Sequence, residues 1–279
     1  MSPTSRTYEY VHSLETREKQ PSYVLKTANA RDLIAMLPSP ENAPRNINLV
    51  PDIPIDILLS TTEELPGHIT EQIENSENKK EFTHKSLLGL CISGRGMPVE
   101  IFLHDYSMMA RDPSGELFEE VIWHETVHGI EGIEMNREGA HVRYMPWSYK
   151  LQQDMLSLDA KNEHEPVLPD NLKLRSHINY LRYGTSLQQN ASEMFTRIAG
   201  IFMYEIKETG RALTSAKDLL DVISVYESAT YNSRKDSNIS DFLKVRDTFS
   251  EEAQQFFAKE SDELIRRIAA LYGCDITGA

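Results

Sequence analysis

The sequence predicts an α+β fold, a small mixed sheet followed by a mostly helical C-terminal half. Three observations lead there. Residues 55–60, 87–93 and 99–106 are short apolar runs of strand length. After Asp112 the pattern changes to helical spacing, with Phe118, Ile122 and Gly129 on one side. From about residue 150 the chain reads as successive helices, with Gly210 and Gly273 placed as C-terminal caps.

Taken in order, residues 1–22 are polar and carry scattered charges, which predicts a disordered or secretion segment. The remainder, 23–279, is expected to form one domain, with a sheet part over about 50–110 and a helical part over about 112–279. A short helix fits Ala30–Leu37 and stops at Pro38. Pro38, Pro40, Pro44, Pro51 and Pro54 then predict an irregular, extended surface segment. Ile55–Ser60 reads as a strand, and the polar residues 61–83 as outer helix or loop. Leu87–Ser93 and Val99–Tyr106 form a predicted hairpin across Gly94-Arg95-Gly96, where glycine accepts a tight turn. Asp112 can cap the next helix and Pro113 can take its first position. Further helices are expected near 146–159, 191–209, 215–231, 240–248 and 251–272.

Composition narrows the partners. Hydrophobic residues make up 40% of the 279 and charged residues 26%, as in an ordinary globular protein. A net charge of −14 opposes binding to nucleic acid or an anionic membrane. No apolar run approaches the ~20 residues a membrane helix needs, and the N-terminus lacks the apolar core of a Sec signal. The chain is therefore expected to be made in the cytoplasm, to act as a monomer without membrane insertion, and to leave the cell, if it does, by a specialised route. Two distant cysteines, Cys91 and Cys274, give no disulfide framework.

The chemistry concentrates at His124-Glu125-Thr126-Val127-His128. On a helix, residues i and i+4 share a face, so two imidazoles there can reach one zinc ion at about 2.0–2.1 Å. Glu125 can lean toward the open coordination position as general base for a bound water. A third ligand is required. Glu134 lies close in sequence, but the metzincin spacing is not met, because Glu131 stands where glycine is needed and the glycine is Gly132. Glu131 shares the histidines' face and suits an imidazole-orienting role. His141, Glu163, His164, Glu165 and His177 are further candidates; His12, His68, His84 and His104 read as solvated or structural. Glu193 stands out, because it opens a second apolar-faced helix carrying Phe195, Ile198, Phe202 and Ile206, 65 residues after His128.

On these residues the chain resembles the gluzincin metalloproteases that include anthrax lethal factor and the Pro-Pro endopeptidases. His124 to Glu131 is similar to their H-E-x-x-H helix followed by a small and an acidic residue. Tyr183-Gly184 … Asn190-Ala191-Ser192-Glu193-Met194-Phe195 is similar to their Tyr-Gly … Glu-Phe-Phe element, with a longer Tyr-to-Glu spacing and Met194 in place of an aromatic. The resemblance spans about residues 85–210. It implies a zincin-like domain with an active-site helix, zinc on His124, His128 and Glu193, and Tyr183, or else Tyr180, donating to the oxyanion. It also implies a protein or peptide substrate. A lone zincin domain behind a Ser/Thr-rich N-terminus without a Sec signal also resembles, by analogy, bacterial effector proteases that act on a host protein. Val99–His104 is the expected sheet edge for an extended peptide. The competing expectation is a zinc-binding or helical interaction domain without catalysis.

Overall fold

The computed structural model describes residues 4–75, 87–92, 98–137, 147–183, 187–228 and 237–276. Contrary to the expectation of disorder over residues 1–22, the chain is folded from Ser5 onward. Ser5 caps α1 (Arg6–Ser13) by accepting from Tyr8 N at 3.1 Å. The other end is held by Lys26, whose Nζ donates to the carbonyls of Val11, His12 and Leu14 at 3.0, 2.7 and 3.1 Å. Val11 is buried, and the Tyr8 ring meets Phe118 edge-on at 5.2 Å. These partners lie far along the chain, which is why local polarity conceals the helix.

The sheet follows. β1 (Thr16–Gln20) pairs antiparallel with β2 (Tyr23–Asn29), which leads into α2 (Ala30–Ala35). β2 pairs antiparallel with β3 (Pro54–Leu59). Then come α3 (Gly67–Asn75), β4 (Gly89–Ile92) and β5 (Val99–Leu103). β5 runs parallel to β3 and antiparallel to β4, so the order is β1-β2-β3-β5-β4 and the sheet is mixed. The predicted antiparallel pairing is present over Gly89–Ile92 with residues 100–103; residue 93 and the Gly94–Gly96 turn lie outside the described residues. Two details differ. β5 is an interior strand, so Val99–His104 is not the sheet edge; β4 occupies that place. The apolar run also ends as a strand at Leu103, because His104 starts α4 (Asp105–Arg111).

Alternation sorts the two faces. Ile55, Ile57, Leu59, Val99, Ile101 and Leu103 are buried on the face toward α5 (Glu116–Arg137). On the other face Leu58 and Phe102 join Ile69 of α3 and Leu87, with Leu90 and Ile92 packed against them.

By its internal packing the chain groups into two units, residues 1–37 with 50–139 and residues 38–49 with 140–279. The second holds α6 (Trp147–Lys161), α7 (Leu172–Tyr183), α8 (Leu187–Thr209), α9 (Ala216–Ser228), α10 (Ser237–Arg246) and α11 (Glu251–Leu271). Phe195, Ile198, Phe202 and Ile206 of α8 are all buried, as their spacing predicts. α7 has no counterpart among the predicted helices, and α8 starts four residues earlier than expected. The proline-rich segment 38–49 is irregular, as predicted, but it is tied down. Asn42 exchanges two hydrogen bonds with the Ala212 backbone, at 2.9 and 2.7 Å, and Asn46 N donates to Gly273 O at 2.9 Å. Gly210 and Gly273 have φ of +75° and +73°, the left-handed geometry that favours glycine at a helix end. No helix among the described residues is long and apolar enough to cross a membrane.

Candidate metal centre

The motif His124–His128 lies in the middle of α5, and the sequence before it sets where that helix begins. Asp112 accepts from Ser114 N and Leu117 N at 3.0 and 2.8 Å, and Gly115 turns the chain at φ +77°. Burial pushes the Asp112 carboxyl up, but the Ser114 hydroxyl and the amides of Leu117, Ser114 and Glu116 outweigh it and hold it below the usual range. Pro113 therefore sits in the turn before the helix rather than at its first position. Glu116 and Glu119 occupy the first turn, where the helix dipole favours acidic groups.

α5 is buried on more than one side. Phe118, Ile122, Val127 and Ile130 are inaccessible or nearly so. Thr126 is also buried and satisfies its hydroxyl on Ile122 O at 2.7 Å. Toward the sheet the contact is close at Gly129, where an added Cβ would lie 2.7 Å from Val99 Cγ1. His124 and His128 are half-buried on the remaining face. Their rings meet edge to face, with centroids 4.7 Å apart, and their Nε2 atoms approach to 3.1 Å.

Glu125 is 8% exposed. Its charge reaches Cys91 on β4: burial raises the Cys91 thiol pKa first, and Glu125 raises it further. Glu193, near the start of α8, is half-buried, with Arg197 Nη2 4.0 Å from its Oε2. His124, His128 and Glu193 are together a set of donors that could hold a metal ion.

The residues fit such an ion. Tetrahedral bonds of 2.0–2.1 Å would place two ligand nitrogens about 3.3 Å apart, close to the 3.1 Å between the two Nε2 atoms. Two imidazoles and one carboxylate are a catalytic zinc donor set, which leaves a coordination position for water.

The other candidates are placed as follows. Glu131 is on α5, half-buried. Glu134 is also on α5 and His177 on α7, but their side chains lie outside the described residues, as do those of Tyr180 and Tyr183 at the end of α7; His141 and His84 lie outside altogether. Glu163 and Glu165 are exposed in the connection between α6 and α7, where Glu163 has φ +50°. His164 Nε2 is 3.2 Å from Thr248 O. His12 pairs with Asp105 at 3.1 Å and His68 with Glu100 at 3.4 Å. His104 is buried with its ring nitrogens 3.3 Å from the carbonyls of Leu87 and Thr62, a structural role. Sequence reasoning missed Gly89, beside Glu125. The available signal was a glycine inside an apolar strand, which often marks close approach of another group. No family model matches the chain, nor does any curated protein or solved structure.

Proposed function

We propose that the chain is a zinc metalloendopeptidase, in which His124, His128 and Glu193 hold the metal and Glu125 is the general base. The observation that carries this reading is the convergence of the His124 and His128 Nε2 atoms to 3.1 Å on α5, with Glu125 between them in sequence. When bound, zinc supplies a Lewis acid and lowers the pKa of a coordinated water to about 7.

The chain's own residues do the rest. Glu125 takes a proton from the attacking water and returns it to the leaving amine. Its burial keeps bulk water from competing for that proton and strengthens its field at the reacting carbonyl. Tyr183 donates to the developing oxyanion, a role assigned by family resemblance. An extended substrate segment pairs with the outer edge of β4, whose only strand partner among the described residues is β5. The effector analogy would make that substrate a host protein.

The test combines elemental analysis with a cleavage assay on fluorescent casein. Wild type should carry one zinc per chain and cleave. Glu125→Gln should keep its zinc and lose activity by at least about a thousandfold, more than the 10²–10⁴ range of acid–base catalysis allows at its low end. Glu193→Gln should lose most of its zinc; full retention would pass the third-ligand role to Glu134. Zinc without cleavage would favour the non-catalytic zinc-binding domain, and no zinc after reconstitution would refute both.

A further inference from the structure

β4 meets the proposed general base at a residue that has no side chain. Pairing places Gly89 opposite Leu103 and Cys91 opposite Ile101, on the sheet face that packs against α5. A Cβ built on Gly89 would lie 2.8 Å from Glu125 Oε1, 3.0 Å from Glu125 Cγ and 2.5 Å from Val121 Cγ1. These distances are at or below what real side chains tolerate, so the Glu125 carboxyl fills the space where any other residue at 89 would project. Leu90 and Ile92, the alternate residues of β4, face away into the Leu58–Phe102 cluster, which fixes the register. A one-residue slip would turn an apolar side chain into Glu125.

We propose that Gly89 is a positioning residue for Glu125, and that the missing side chain in β4 is a seat holding the carboxyl between strand and helix. The proposal rests on the reading of Glu125 as general base. Cys91, two residues along on the same face, feels the Glu125 charge, as expected of a carboxyl lying against β4. The seat explains how the shape of the strand can hold a carboxylate on a mobile three-torsion side chain in one place.

A simpler role for Gly89, letting α5 pack close at Val121, predicts different behaviour, and the variants separate the two. Gly89→Ala/Val121→Ala removes the packing conflict but leaves the conflict with Glu125. It should fold like Val121→Ala and bind one zinc, yet cleave a quenched fluorescent peptide library about a hundredfold more slowly than Val121→Ala, the size of effect a displacement of about 1 Å produces. A second measurement needs neither metal nor substrate. In the metal-free protein, the urea midpoint lost through Gly89→Ala should shrink when Glu125→Ala removes the Cγ and carboxyl that the added Cβ would meet.

Equal cleavage by Val121→Ala and Gly89→Ala/Val121→Ala would overturn the seat. So would a Gly89→Ala midpoint loss that is the same with Glu125 intact as in the Glu125→Ala background. If wild type binds zinc and cleaves nothing, the protease reading fails, and the metal-free coupling still decides whether Gly89 seats Glu125.

Discussion

Removing the Asp159 carboxylate should be among the most destabilising single changes in the second unit. Arg182 is the largest fully buried side chain among the described residues, and the side chains of Arg182 and Asp159 are 1% and 5% exposed. Asp159 pairs with Arg182 Nη2 and accepts at 2.8 Å from the amide of Ser250, the residue that caps α11. Arg182 also donates to the carbonyl and hydroxyl of Thr248 and stacks 4.1 Å over Phe249. Asp159→Ala strands a guanidinium away from water, a loss of about 3–5 kcal/mol for breaking a buried pair. It also frees the Ser250 amide, about 1 kcal/mol more. A total of about 4–6 kcal/mol is a large part of a typical stability of about 5–15 kcal/mol. With urea slopes of about 1–3 kcal/mol/M, the midpoint followed by circular dichroism should fall by at least about 1.3 M. Asp159→Leu/Arg182→Met, which removes both charges, should lose less than the single change, because neither charge is then left buried alone. A loss below about 1 kcal/mol for Asp159→Ala, or a double variant less stable than the single, would refute the reasoning.

Other consequences can be checked directly. Lys26→Met should release the C-terminal end of α1, at a cost of about 1–3 kcal/mol for carbonyls left without their donor, and trypsin should then cut sooner at Arg17. Asp112 and Asp218 both have carboxyls that burial raises but hydrogen bonds from neighbouring hydroxyls and amides hold below the usual range. Their stabilisation is therefore complete above the unfolded carboxylate pKa of about 3.9 and is lost as pH falls through the lower folded value; Asp112→Ala should flatten the acid limb of a stability–pH curve. Burial raises the Cys91 thiol, and raises Cys274 to about 11 despite Arg45 beside it, so neither should react with a disulfide reagent at about pH 8, near the ordinary thiol pKa, until the protein is unfolded. Gly129→Ala gains about 1 kcal/mol of helix propensity but meets Val99 at 2.7 Å. It should stabilise only in a Val99→Ala background, as thermal unfolding can establish.

Much of this architecture is visible in the sequence where one segment carries its own signal. Strands β3, β4 and β5 and the long helices α8 and α11 follow from apolar runs, periodicity and glycine stops. The chain conceals what depends on distant partners. α1 exists because Lys26 and Phe118 receive it, and β1 is a strand of mostly exposed polar residues, Thr16-Arg17-Glu18-Lys19-Gln20, that only pairing with β2 makes regular. Tyr106 suits a strand by its aromatic ring, but its amide bonds to Ser60 O while Asp105 begins α4. In the site, His124, Glu125 and His128 are legible by identity and spacing. Glu193 needs a second helix and a resemblance to single it out. Gly89 is not legible as a site residue, since nothing in a single sequence says which side chain a strand glycine makes room for.

α5 shows why the motif speaks through residue identity more than through pattern. An amphipathic helix announces itself by one apolar stripe, but α5 is covered on several sides. Phe118, Ile122, Thr126, Val127 and Ile130 are all buried, and so is Glu125. Buried that thoroughly, its polar residues cannot be placed by solvent, so packing places them. Gly129 against Val99 sets how near the helix lies to β5, and Gly89 against Val121 and Glu125 does the same at β4. The two glycines are contacts of opposite origin, one on the helix and one on the strand, and together they fix helix height at two points along the sheet. Glu125 and the two histidines ride on that helix, so the geometry of the proposed centre follows largely from contacts made by glycine and valine. A rigid element held in this way can keep a base within the about 0.5 Å tolerance that catalysis demands, which a surface loop bearing the same residues could not do.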